Sequence, residues 1–169
     1  MQLVGAAIFG AVCSFIPTAT YGQAFGSWAV ERSGEYVEAY TSNNTGSVFG
    51  VLCSAQCLFY IDTKTTCEEK SEYPVLVNTS AGASYMKMVC MHVENSGRTR
   101  HVNILDDFET LKEMASSGSQ IGFAVPLRDG AFKVSRFNLK GYSQAASVLA
   151  RLQQGRPQGR PASFRDEVL

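Results

Sequence analysis

Four cysteines, Cys53, Cys57, Cys67 and Cys90, fall within 38 residues, downstream of an uncharged apolar N-terminal run. Paired thiols persist in oxidising compartments, so an even set of cysteines behind such a run reads as the staple of an exported domain. Ser47 to Cys53 and Cys57 to Asp62 have strand composition and are separated by the three-residue turn Ser54-Ala55-Gln56. If that turn sets the register, Cys53 faces Cys57, Val51 faces Phe59 and Phe49 faces Ile61, which makes one face of the hairpin uniformly apolar. Bonds Cys53–Cys57 and Cys67–Cys90 are therefore favoured. A bond across so short a turn can be strained, so the pairing of Cys57 with Cys67 and Cys53 with Cys90 stays open. The spacing Cys53-x-x-x-Cys57 is not that of a thioredoxin-type redox pair, and no helix N-terminus is evident to lower a thiol pKa, so structural bridges are the better reading.

Leu3 to Ile16 (LVGAAIFGAVCSFI) is too short for the ~20 residues of a membrane helix. Pro17 and a small-residue stretch ending Gly22-Gln23-Ala24 follow it, in the layout of a cleavable signal peptide over residues 1–24. Cleavage after Ala24 is the first choice and after Gly22 the second. The run lacks a preceding Lys or Arg, and the alternative is a buried N-terminal strand. Cys13 leaves with the signal. The expected organisation is then a disulfide-bonded β domain over residues 25–154, a Gly/Arg/Pro tail over 155–169, and no transmembrane segment after cleavage, in a periplasmic or secreted location.

Fifteen basic and fifteen acidic residues leave no net charge, which argues against a nucleic-acid binder. The tail GRPQGRPASFRDEVL is poor in apolar residues and reads as disordered. Its Arg156, Arg160 and Arg165, with Arg151 just before, are too diluted to anchor the chain to an anionic surface.

Most of the chain reads as short strands. Trp28 to Arg32 and Glu35 to Thr41 flank a Ser33-Gly34 turn, and the cysteine hairpin is followed by a polar excursion, Lys64 to Glu72. Val75 to Asn78, Tyr85 to Glu94, Arg100 to Leu105, Ile121 to Leu127 and Phe132 to Leu139 continue the series. Two helices interrupt it. One is capped by Asp106 or Asp107, carries Phe108, Leu111, Met114 and Ala115 at helical spacing and stops at Gly118. The other runs from Ser143 to Gln154, with Ala145, Val148, Leu149 and Leu152 on one stripe. The fold class is mainly β: an antiparallel β-sandwich or open barrel with two covering helices.

The chain offers little for catalysis, and no enzymatic activity or cofactor is expected. Its two histidines, His92 and His101, show no triad or metal spacing, and Asp106-Asp107 is better explained by helix capping. In MKMVCMH, Met86, Met88 and His92 are soft donors suited to cuprous ions. On one strand face, however, they spread over roughly 20 Å at ~3.3 Å per residue, and core methionines are the commoner outcome.

Ser80-Ala81-Gly82-Ala83-Ser84-Tyr85 is similar to the Ser-Gly-x-x-Tyr loop of some periplasmic lysozyme inhibitors, although Ala81 stands where the Ser belongs. That likeness makes Ser80, Gly82 and Tyr85 candidate binding residues. The plainer reading is a turn before a strand that Tyr85 opens, with Tyr85 contributing to stability. The last third, IGFAVPLRDGAFKVSRFNLKGYSQAASVL, and the early Gly26-Ser27-Trp28-Ala29-Val30 resemble the invasion-associated locus B family of exported bacterial proteins. The chain departs from that pattern in carrying Glu31 and Arg32 where the family often has Cys, and in its cysteine cluster. The resemblance implies an exported, non-enzymatic β protein linked to cell-surface or host interaction, and no family site residue transfers.

The residues thus point to a non-enzymatic binding or structural module of the cell envelope or secreted fraction, whose partner is a protein or envelope component. An inhibitor of a cell-wall hydrolase is the alternative, and a copper-handling or thiol redox protein the third reading. Intact-mass analysis of protein from its native compartment should find a chain beginning at Phe25 or Gln23 with no free thiol. Cys13 in the mature mass would overturn the signal-peptide reading.

Overall fold

The computed structural model describes residues 21–154 except 35, 96, 97 and 128. The apolar run with Cys13 and the Gly/Arg/Pro tail lie outside the described residues. In chain order the elements are β1 (Tyr21–Phe25), β2 (Trp28–Ser33), β3 (Tyr36–Ser42), β4 (Val48–Cys53), β5 (Cys57–Asp62), β6 (Glu72–Thr79), β7 (Gly82–Asn95), β8 (Arg98–Leu105), α1 (Phe108–Ser117), β9 (Gln120–Pro126), β10 (Phe132–Asn138) and α2 (Tyr142–Gln154).

The strands form a single antiparallel sheet in the order β1-β2-β3-β4-β5-β8-β7-β6-β9-β10, curled into a half-barrel. Of the two expected architectures this is the open barrel rather than the sandwich. Strands β1 to β5 follow one another as a meander. The chain then leaves β5 through a loop over residues 63–71, builds β6 and β7 outward, and brings β8 back beside β5.

Alternation sets which side chains line the concave face. In the β4–β5 hairpin the register is Cys53↔Cys57, Val51↔Phe59 and Phe49↔Ile61, as the turn length predicts, and Phe49, Val51, Phe59 and Ile61 are buried. Rings of Phe49, Phe59, Phe123 and Phe137 meet in the concavity at centroid distances of 4.9 to 6.0 Å. Both helices pack there: Leu111 and Ala115 of α1, with Tyr142, Ala145, Val148 and Leu149 of α2, join the same core. Asp107 caps α1 by accepting the Thr110 N–H at 3.0 Å.

The sheet's two edges meet at one end. Trp28 is buried at the start of β2, where its Nε1–H donates to the Asn138 carbonyl at 3.2 Å and its ring lies edge-on to Phe49 and Tyr142. Beside it the Ser27 N–H donates to the Lys140 carbonyl at 3.0 Å. Gly26 (φ 59°) and Gly141 (φ 97°) adopt left-handed backbone in the two facing turns. A Cβ on Gly26 would stand 2.6 Å from the Lys140 oxygen, and one on Gly141 would stand 1.9 Å from the Phe25 oxygen.

Among the boundaries that differ from the sequence reading, three are instructive. Tyr21–Phe25 is strand β1, paired along its length with β2, although residues 21–24 read as the end of the signal. Ser33 pairs with Tyr36, so the first expected turn begins one residue on, at Gly34, whose φ is 56°. β6 begins at Glu72 rather than Val75 and contains Pro74, which pairs with Lys87 of β7 before β9 joins at Leu76. With β7 alone as its neighbour there, the strand tolerates a residue lacking an N–H.

Gly141→Ala should cost about 2–4 kcal/mol, because it combines a disfavoured φ with a backbone clash. Gly34→Ala, whose Cβ meets nothing within 4 Å, should cost only about 1–2 kcal/mol. Equilibrium urea unfolding of the two variants checks the difference, and equal costs would show that the two turns are not locked together.

Candidate functional site

Three regions collect the chemistry. The first is the loop over residues 63–71, which carries Cys67 and is sewn to β7 by the Cys67–Cys90 disulfide. The Lys70 N–H donates to the Cys90 carbonyl at 2.8 Å and the Cys90 N–H to the Ser71 carbonyl at 3.0 Å. Lys64 and Lys70, near its two ends, both sit in the left-handed region, at φ 59° and 64°. His92 contacts the Cys67 carbonyl through Nε2 at 3.0 Å, and the Cys67 N–H donates to His101 Nδ1 at 3.5 Å. The two imidazoles meet edge to face with centroids 4.5 Å apart. A cavity of about 300 Å³ opens beside the disulfide, with Cys67, Met88 and the buried Asn103 in its wall.

The other disulfide, Cys53–Cys57, closes the tip of the β4–β5 hairpin. Both bonds are therefore the ones favoured by the hairpin register. A groove of about 470 Å³ runs between the helices over Cys53 and Cys57, walled by Phe108, Tyr142, Ala146 and Leu149.

The second region is a polar network on the convex face of β2, β3, β5 and β8. Asp62 is buried, and its carboxylate accepts from Lys64 Nζ at 2.8 Å, from the Lys64 N–H at 2.9 Å and from Arg100 Nη2 at 2.9 Å. Burial pushes the Asp62 carboxyl up, but the donors of Lys64 and Arg100 outweigh it and hold the group below the usual carboxylate range. Glu31 and Glu38 stand directly opposite each other across β2 and β3. Each accepts a phenolic hydrogen, Glu31 from Tyr40 at 2.7 Å and Glu38 from Tyr60. The hydrogen bond to Glu31 is the main cause that raises the Tyr40 hydroxyl to about 12, whereas burial raises Glu38. Gly50 makes room for this, since a Cβ there would stand 2.9 Å from the Tyr60 hydroxyl.

The third region is apolar and also convex. Tyr85, Leu76, Ala124 and Val134 are consecutive cross-strand partners over β7, β6, β9 and β10. Tyr85 is 79% exposed and Val134 46%, and Phe132, two residues along β10 from Val134, is 66% exposed. The sequence reading did not find this band. Its residues are scattered over four strands in the sequence, and only strand pairing makes them one row.

The structure separates the sequence-predicted sites. Ser80 and Gly82 lie at the β6–β7 turn, both exposed. Tyr85 does not open its strand, since β7 begins at Gly82, and its exposed ring adds little to stability. Met86 and Met88 are buried in the core, while half-buried His92 lies four residues beyond Met88 against Cys67, so the three do not form one cluster. Asp106 and Asp107 are divided between two tasks, Asp106 accepting the Lys87 N–H at 3.0 Å and Asp107 capping α1.

These features define a class: an antiparallel half-barrel domain cross-linked by two disulfides, compatible with export. No family model matches the chain, and no curated protein matches it in sequence. Among solved structures the fold is similar to that of invasion associated protein B from Bartonella henselae, with a TM-score of 0.55 and 14% identity over 79% of this chain and 99% of that one. At that identity the likeness shows the fold.

The lowered pKa of the Asp62 carboxyl predicts a pH dependence of folding. A carboxyl with a lowered folded pKa contributes its stability fully above the unfolded value, about 4, and loses it as the pH falls through the folded value. Asp62→Asn should cost about 1–2 kcal/mol at pH 7 and flatten the decline of stability below pH ~4. Denaturant titrations across that range check this, and parallel curves for the two proteins would refute it.

Proposed function

We propose that this chain is an exported, non-enzymatic binding module of the cell envelope or secreted fraction that engages a protein or envelope component in surface or host interaction. The observation that carries this reading is the convex apolar band of Tyr85, Leu76, Ala124, Val134 and Phe132. A contiguous exposed apolar surface on a folded monomer marks an interaction site, because leaving it in water forgoes the hydrophobic gain that a partner would supply. Tyr85 has the features of an anchor: a large, 79% exposed ring at one end of the row, close to the two-residue β6–β7 turn, on a stretch of β7 paired with β6.

Several observations support the setting. Two disulfides fit an oxidising compartment, and the fold likeness to invasion associated protein B is compatible with a periplasmic or secreted location. Among the described residues no helix is long and apolar enough to cross a membrane. The membership in the invasion-associated locus B family implied by the C-terminal third belongs to this reading. A second reading, inhibition of a lysozyme-type cell-wall hydrolase, draws on the same exposed Tyr85 beside the Ser80 turn.

The test compares Tyr85→Ala, Phe132→Ser and their combination with the parent chain for binding to isolated envelope and to host-cell surfaces, with inhibition of c-type and g-type lysozymes measured in parallel. Each single change should weaken binding about tenfold or more, at unchanged thermal stability. Parent-like binding by the double variant would sink the proposal, and micromolar inhibition lost on Tyr85→Ala would favour the hydrolase inhibitor.

A further inference from the structure

The sulfurs of Cys67 and Cys90 and one ring nitrogen of His101 all lie within 4.8 Å of one another. We infer that reduction of the Cys67–Cys90 bond converts this cluster into a site for a borderline-soft divalent cation, zinc, held by two thiolates and one imidazole. The inference is independent of the apolar band.

Chemistry and geometry both fit. Two cysteinates and one histidine, with a fourth position for solvent, are a common zinc donor set, and thiolates at about 2.3 Å from a tetrahedral zinc sit about 3.7 Å apart. Once the bond is broken, the sulfurs need separate by less than 2 Å to reach that spacing, and the donors start inside the volume a tetrahedral site requires. The three come from different elements, Cys67 from the loop, Cys90 from β7 and His101 from β8, and β7 and β8 hold two of them in fixed register, with Cys90 opposite Asn103 and His92 opposite His101. His92 lies beside the cluster, in contact with the Cys67 carbonyl and the His101 ring. Of the three donors only Cys67 lies outside a strand, in a loop whose Lys64 and Lys70 adopt left-handed backbone disfavoured for residues with a Cβ, so the small shift that metal binding needs falls on Cys67 rather than on Cys90 in β7.

The redox step is a dithiol exchange. A thiolate of a dithiol reductant attacks the sulfur of Cys67, a half-buried residue in the cavity lining. Its second thiolate resolves the mixed disulfide, so the reductant leaves as a disulfide and Cys67 and Cys90 are left as thiols. Zinc then binds with loss of the two thiol protons while His101 coordinates as neutral imidazole, and no electrons move in that step.

The experiment uses the full chain carrying Cys13→Ser, Cys53→Ser and Cys57→Ser, so that Cys67 and Cys90 are the only thiols. The protein is reduced anaerobically with dithiothreitol, desalted and titrated with cobalt(II) as a spectroscopic stand-in, then with zinc in competition against a chromophoric chelator. Expected are thiolate-to-cobalt charge transfer and tetrahedral ligand-field bands that saturate at equimolar metal, vanish on zinc addition and are absent from the oxidised protein. His101→Ala should weaken zinc binding about tenfold or more. If the reduced chain is unfolded without metal, zinc should restore the circular dichroism of the oxidised protein. Absence of the bands, unchanged affinity in His101→Ala, or a reduced chain that zinc does not refold would each overturn the inference.

Discussion

The fold depends on one contact between distant parts of the chain, the seam where the β1–β2 turn sits against the turn after β10. A ten-stranded sheet has two free edges, and twist alone does not bring them together. Here Gly26 and Gly141 remove the two Cβ atoms that would hold the turns apart, and the Asn138 and Lys140 carbonyls each receive a donor from the opposite edge. Trp28 then fills the space beneath, in contact with Phe49 and Tyr142. An aromatic side chain in such a position is worth roughly 3–5 kcal/mol on truncation to Ala, a large part of a domain's net stability. The curl it secures is what makes a concavity for the two helices to fill, so that the convex face is left for other purposes.

That convex face is divided. Over β2, β3, β5 and β8 it carries a carboxylate–phenol–guanidinium network in which each charge has a donor or a counter-ion. Glu31 and Glu38, placed opposite each other, would repel if left alone, and the Tyr40 and Tyr60 hydroxyls offset that cost. Over β6, β7, β9 and β10 the same face carries the apolar row Tyr85, Leu76, Ala124 and Val134, bordered by the exposed Lys87–Glu72 ion pair. A polar network on one part of the face and an apolar row on another give the surface a direction, which is the physical basis of the proposed binding role.

The two disulfides differ in what they hold. Cys53–Cys57 joins residues already opposed in a hairpin and closes a loop of sequence separation 4, so it removes little freedom from the unfolded chain. Cys67–Cys90 spans a separation of 23 and fastens a loop that has no strand pairing of its own, so it contributes the larger share. Only the second has histidines against it.

What could be read without coordinates was local. The β4–β5 register follows from a three-residue turn and a period of two, the helices from capping residues and apolar stripes, and a preference for the observed disulfide pairing, though not its certainty over the alternative, from the face on which the hairpin cysteines fall. β1 was missed because Tyr-Gly-Gln-Ala-Phe has small and polar residues where a strand signal needs branched ones, and only pairing with β2 makes it a strand. Tertiary structure decided the rest. The return of β8 to β5, the row of Tyr85, Leu76, Ala124 and Val134, and the meeting of His101 with Cys67 and Cys90 all depend on which strands lie side by side. Residue periodicity determines which way a side chain points along its own strand, whereas the neighbour it meets is set by the packing of the whole sheet.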